Sequence, residues 1–104
     1  MSAGAPGPEV KDLFETVRRR SAIIVNAKGL HARAAAKLAK LAVQFKSEIT
    51  VSRNGVSVSA RSIMGLMMLA AAKGSAIELS ARGPDAEAAL AAAVALIQGG
   101  IGEK

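Results

Sequence analysis

The segment EITVSRNGVSVSA constrains this chain more than any other. Ile49 and Val51 alternate with polar residues before Asn54-Gly55, and Val56 and Val58 alternate after it. A period of two puts such residues on one face of a strand. Asn-Gly is the preferred two-residue hairpin turn, because both positions take a positive φ that few other residues adopt cheaply. Strands joined by so short a link pair antiparallel. A lone hairpin is unstable in water, so other elements must cover its apolar face.

Those elements can be read on either side. SAIIVN, from Ser21, is a short β-branched run and predicts a buried strand. Residues 32–46 predict a helix, with Ala35, Leu38, Ala42 and Phe45 on its inner face and Arg33, Lys37, Lys40 and Gln44 on another. IMGLMML after Ser62 predicts a short apolar helix that ends before Gly74. SAIELSAR alternates again, with Ile77 and Leu79 facing inward. A last helix is predicted over 84–98, with Pro84 first, Asp85 and Glu87 in the opening turn, and Gly99-Gly100 at the end. The order β-α-β-β-α-β-α predicts an α+β open-faced sandwich: a four-stranded antiparallel sheet with three helices on one face. Thr50, Ser52, Ser57, Ser59, Glu78 and Ser80 would line the wet face.

Residues 1–20 read as an N-terminal extension and residues 21–104 as one domain. Within the extension SAGAPGP predicts a flexible stretch, and PEVKDLFETVRRR a short helix from Pro8 with Leu13 and Phe14 on one side. With no Trp or Tyr, and Phe14 and Phe45 the only aromatics, the core must be aliphatic. No apolar run reaches the roughly 20 residues of a spanning helix, so no membrane insertion is expected. The cysteine-free chain forms no disulfide and fits the cytoplasm, and one histidine with few acids argues against a metal site. No cofactor is expected. The formal net charge of +6 is uneven: between Arg18 and Lys73 stand eleven Lys or Arg and one acid, Glu48. Such a field favours an anionic partner or ligand.

The one histidine sits in KGLHARAAAKLAK, a stretch without an acid to pair with it. If the helix starts at Ala32, the His31 imidazole lies over unpaired backbone N–H groups and the positive end of the helix dipole. That setting disfavours imidazolium and favours an anion on or near the ring. Lys28 and Arg33 would add charge-assisted contacts, Gly29 the loop freedom to place the ring. Neutral imidazole is a nucleophile, so a histidine that carries a phosphoryl group is one reading. A lone histidine at a helix start is also an ordinary capping or surface residue, and the residues alone leave both readings open.

GLHAR after an opening strand resembles the active-site motif of the HPr family, the histidine-containing phosphocarriers of the bacterial phosphotransferase system. SEITV, the Asn54-Gly55 turn and RSIMGLMML follow in the family's order and spacing, and the resemblance runs from residue 21 to about 100. LMMLAAAKG and GPDAEAALAAAVAL look closest to the nitrogen-branch NPr type. The resemblance implies a carrier, a protein substrate rather than an enzyme. His31 would take phosphate on Nδ1 from enzyme I and pass it to an enzyme IIA. Arg33 and the backbone N–H groups of Ala32 and Arg33 would stabilise the phosphate. One departure stands out: Ala34 occupies a position where the family usually has proline. Alanine should keep the helix intact while altering the backbone of its first turn.

Ser62 reads as the N-cap of the short helix, and the resemblance makes it the regulatory serine modified by HPr kinase/phosphorylase. A phosphate there would stand beside Ile63, Met64 and Met67 and oppose docking. Ile63, Leu66 and Leu69 are expected in the core, while Met64 with Met67 or Met68 stays exposed as an adaptable contact patch, rimmed by Lys37 and Lys40. The chain is expected to be a monomer. Two other classes fit the residues less well. A small basic nucleic-acid-binding domain would bind nucleic acid at low salt, but exposed stacking aromatics, a GXXG clamp and a helix-turn-helix are all missing. A purely allosteric regulator of the same fold would keep its activity in His31→Ala.

Overall fold

The structure, a computed structural model, describes residues 17–103. Its elements are β1 (Val17–Ile23), α1 (Ala32–Ala42), β2 (Glu48–Arg53), β3 (Val56–Ser59), α2 (Ile63–Met68), β4 (Ala76–Arg82) and α3 (Ala86–Gln98). The four strands form one antiparallel sheet in the order β1-β4-β2-β3. The last strand is thus inserted between the first two, and this places β1 and β2 parallel to one another across it. The helices cover one face, as the alternation predicted. Ala22 pairs with Ile77, Val51 with Leu79 and Ile49 with Ala81, and all six are buried. Directly opposite residues point to the same side, so these pairs build the inner face. Thr50↔Ser80 and Ser52↔Glu78 build the outer one, where the Ser52 and Ser57 hydroxyls meet at 2.7 Å.

Against the inner face pack Leu38 of α1, Leu66 of α2, and Leu90 and Ile97 of α3, all fully buried. Alanines on the inward stripes, Ala35 and Ala42 of α1 and Ala89 and Ala93 of α3, allow close approach with no aromatic filler. Phe45 lies past the end of α1 and packs at the core's margin.

Besides the end of the first strand at Ile23 rather than Asn26 and the start of the last helix at Ala86 rather than Pro84, three expectations differ from the structure. The first strand begins at Val17 rather than Ser21, so the expected border at residue 20 falls inside β1. Arg18, Arg19 and Arg20 pair with Ala81, Ser80 and Leu79. Three arginines carry no alternation to read, and the length of β4 is what gives them backbone partners. As exposed charges on an edge strand they also discourage strand addition. The part of the expected N-terminal helix that reached 17–20 is therefore strand; the rest lies outside the described residues, as does SAGAPGP.

The second difference is in α1, which stops at Ala42 instead of 46. Gln44 and Phe45 donate three residues back, to Leu41 and Ala42, in a tightened final turn. The next two N–H groups, of Lys46 and Ser47, donate to the Asp85 carboxylate at 3.0 and 2.8 Å, while Ser47 Oγ accepts from Asp85 N–H. Asp85 sits at the N-cap of α3 but spends its carboxylate on this neighbouring corner. The Ser47 hydroxyl and the Lys46 N–H hold its carboxyl below the usual aspartate range. The third difference is Ile63, which is 41% exposed, whereas Leu66 and Leu69 are core as expected. Ile63 opens α2, and the first turn of so short a helix overhangs the layer beneath it.

Candidate phosphate-transfer site

His31 is the N-cap of α1, with an extended backbone (φ −73°, ψ 177°), so the helix starts at Ala32 as read from the sequence. Ala35 N–H donates to His31 O at 2.8 Å and closes the first turn. The N–H groups of Ala32 and Arg33 precede that bond and have no acceptor within the helix. Ala34 is fully buried in the first turn, and α1 forms with alanine there.

The loop before His31 is pinned to the segment after α2. Leu30 N–H donates to Ala71 O at 2.9 Å, and Gly29 N–H to Asn26 O at 3.1 Å. Gly29 has φ +65°, and a Cβ there would run into the Ala71 carbonyl oxygen and lie 2.9 Å from Ala72 Cα. Glycine is required for close approach as well as for backbone freedom.

The imidazole does have an acid partner. Its Nε2 lies 2.8 and 2.9 Å from the two carboxylate oxygens of Glu103, 72 residues away in sequence. Both side chains are partly covered, at 28% and 17% exposure. The hydrogen bond to His31 holds the Glu103 carboxyl below the usual glutamate range; Asn26 and the Lys37 charge act in the same direction, and partial burial opposes them. An ionised carboxylate only accepts hydrogen bonds, so Nε2 donates, and in the neutral ring the lone pair is on Nδ1.

Two further residues hold that acid in place. Asn26 Nδ2 donates to Glu103 Oε1 at 3.0 Å and to Gly29 O at 2.8 Å. Lys37 Nζ donates to Ile101 O at 3.2 Å and ties the tail to α1. The tail reaches His31 because α3 ends in a Schellman turn: Ile101 N–H donates to Leu96 O and Gly100 N–H to Ile97 O. Lys28, His31, Arg33, Lys37 and Glu103 border one cleft of about 650 Å³.

Of the residues singled out in the sequence, His31, Ala32, Arg33 and Lys37 come together at this cleft. Lys37 serves as a tether instead of standing free on the rim, whereas Lys40 is exposed. Ser62 caps α2 by accepting from Gly65 N–H at 2.9 Å. Met64 and Met68 are 75% and 76% exposed and Met67 43%, so the apolar patch exists as expected. Met67 also borders a hollow shared with His31 and Lys28, which joins the patch to the cleft. Glu103 and Asn26 were missed, because no local spacing links them to the histidine.

Known proteins share this arrangement of chain. The family model "PTS HPr component phosphorylation site" matches residues 18–99. The chain is 52% identical over 85 residues to the phosphocarrier protein HPr of Cupriavidus necator, covering 82% of this chain and 96% of that one. It is 48% identical over 82 residues to the phosphocarrier protein NPr of Shewanella violacea, covering 79% and 90%. The crystal structure of HPr-C-His from Thermoanaerobacter tengcongensis superposes with a TM-score of 0.80 at 41% identity, over 84% of this chain and 98% of that one. With a matching fold, a matching motif and relatives named as phosphocarriers rather than enzymes, the chain belongs to the HPr family of the phosphotransferase system.

Proposed function

We propose that His31 accepts a phosphoryl group on Nδ1 from phosphorylated enzyme I and passes it to a histidine of an enzyme IIA. The observation that carries this reading is the Glu103 contact at Nε2 of the α1 N-cap residue, which supports Nδ1 as the nitrogen that keeps its lone pair. In the transfer, the Nδ1 lone pair forms a bond to phosphorus as the donor's N–P bond breaks. The electron pair of that bond returns to the donor's ring nitrogen. The proton on Nε2 stays where it is, and the positive charge that grows on the ring faces the Glu103 carboxylate. The first-turn N–H groups of Ala32 and Arg33, with the Arg33 guanidinium, offer donors to the phosphoryl oxygens. Unloading runs the same steps in reverse.

The exposed Met64, Met67 and Ile63, with Lys40 on the rim, form the face that meets partners with apolar centres and acidic borders. Ser62 is a regulatory position on this reading: its exposed cap hydroxyl adjoins that face, and a phosphate from HPr kinase/phosphorylase would set a double negative charge against an acidic partner. Carrier action in the cytoplasm as a monomer fits a chain without cysteine, in whose described residues no helix is long and apolar enough to cross a membrane.

The test is incubation with phosphoenolpyruvate and an active cognate enzyme I, read by intact mass. The expected product carries one acid-labile phosphoryl group, and His31→Ala carries none. An unmodified wild-type chain beside a demonstrably active enzyme I would favour the allosteric-regulator reading instead.

A further inference from the structure

Asn26 is 1% exposed and uses both protons of its amide, one on Gly29 O and one on Glu103 Oε1. Its Oδ1 is buried and has no partner among the described residues. Turning the amide over would aim Oδ1 at two oxygens, so the orientation is fixed by its partners. A buried acceptor without a partner costs stability, which the two donated bonds to Gly29 O and Glu103 must offset. What the asparagine achieves with those bonds is a bridge from the loop before His31 to Glu103.

The backbone beyond α3 tells the same story. Gly100, Ile101 and Gly102 have φ of +83°, +55° and +71°, three left-handed residues in succession. For a β-branched residue that conformation is strained. It is held by the full burial of the Ile101 side chain and by Lys37 on its carbonyl. Two unfavourable features, an orphaned acceptor and a strained isoleucine, thus converge on one result, the Glu103 carboxylate at Nε2 of His31.

We propose that Asn26 is a positioning residue for phosphoryl acceptance, joining the loop that carries His31 to the tail that carries Glu103 and so keeping the proton on Nε2 and the lone pair on Nδ1. The inference rests on the phosphocarrier reading. Among the described residues Asn26 hydrogen-bonds Gly29 O and Glu103 and not the ring itself, so it acts on the imidazole through those two partners.

The experiment compares wild type, Asn26→Leu, Glu103→Gln and the double variant. The readouts are melting temperature, nitrogen-15 spectra of the His31 ring, and the rate of loading by phosphorylated enzyme I. Asn26→Leu, which leaves the Gly29 carbonyl without its donor, should melt somewhat lower than wild type yet stay folded, lose the hydrogen-bonded Nε2 proton signal, and load roughly tenfold more slowly, the scale of a small misplacement of reacting groups. In the Glu103→Gln background the same substitution should change loading little, because the two residues act as one unit. Wild-type loading together with an unchanged ring spectrum in Asn26→Leu overturns the inference, and so do fully additive losses in the double variant. If Asn26→Leu does not fold, Asn26→Ser, whose hydroxyl is too short to span both partners, is judged by the same readouts. Failure of the wild type itself to load would count against the carrier reading instead, and the ring spectra would still show whether Asn26 governs the Glu103 contact.

Discussion

At the scale of single residues, the backbone around His31 leaves little freedom. Gly29→Ala combines a positive φ with a collision against the Ala71 carbonyl. It should destabilise the fold by about 2–3 kcal/mol, measured by urea unfolding, and slow loading because the loop carries the histidine. Ala70 is the reverse case. It follows α2 with φ +51°, in the left-handed position after the C-cap that glycine favours. Ala70→Gly should therefore stabilise by about 0.5–1 kcal/mol, the relief of left-handed strain less the extra entropy of the unfolded chain.

The Glu103 carboxyl titrates below its ordinary range, held there first by the hydrogen bond to His31. A group lowered in the folded state contributes fully above its unfolded value, and that contribution is lost as pH falls through the lowered folded value. Melting temperature should drop from about pH 5 downward, and less steeply in Glu103→Gln. Equal slopes in the two proteins would show that the contact is not maintained in solution. GLHAR made the histidine and the arginine legible. The acid was not, since a pair 72 residues apart leaves no local pattern.

Element by element, periodicity and apolar runs located the helices and strands of the described residues apart from the first four residues of β1, and the ends were decided by what lay next to them. α1 reads as helix to 46 on its own pattern but stops at Ala42, because the Asp85 carboxylate takes the N–H groups of Lys46 and Ser47. Asp85→Ala should loosen this corner and lower the melting temperature. It should also remove part of the acid sensitivity, because the Asp85 carboxyl is lowered too and follows the same sign as Glu103. In α2 the capping reading of Ser62 was legible and the geometry matches it. Ser62→Ala should cost about 1 kcal/mol, which chemical denaturation would detect. The same variant separates the cap from the proposed regulatory role, since it should still be loaded at His31.

At the scale of the whole molecule, the core formed by the described residues has no aromatic filler at its centre, so its stability rests on aliphatic side chains shared between sheet and helices. Leu66 is the fully buried residue of α2, and Leu66→Ala should cost about 2–5 kcal/mol. Because α2 also carries the methionine patch, that variant should weaken docking more than one in α3 of equal thermodynamic cost. The uneven basic charge predicts association with acidic-rimmed partners that slows as salt rises. A neutral variant of Lys40, which is exposed, should flatten that dependence without moving the melting temperature.

Local chemistry in the sequence determined β2, β3 and β4 by alternation, the hairpin by Asn54-Gly55, the helix starts at Ala32 and after Ser62, the outward serines, and the histidine at a helix N-terminus. These are effects of nearest neighbours and of one or two turns, so a linear reading captures them. Tertiary structure alone decided the rest: β4 lies between β1 and β2, β1 reaches back to Val17, α1 ends early, and the tail held by Asn26 and Lys37 brings Glu103 to the imidazole. Each of those depends on a group from a distant part of the chain supplying a hydrogen-bond partner or a wall. Which partner arrives is fixed by how the layers pack, and no short stretch of sequence contains that information.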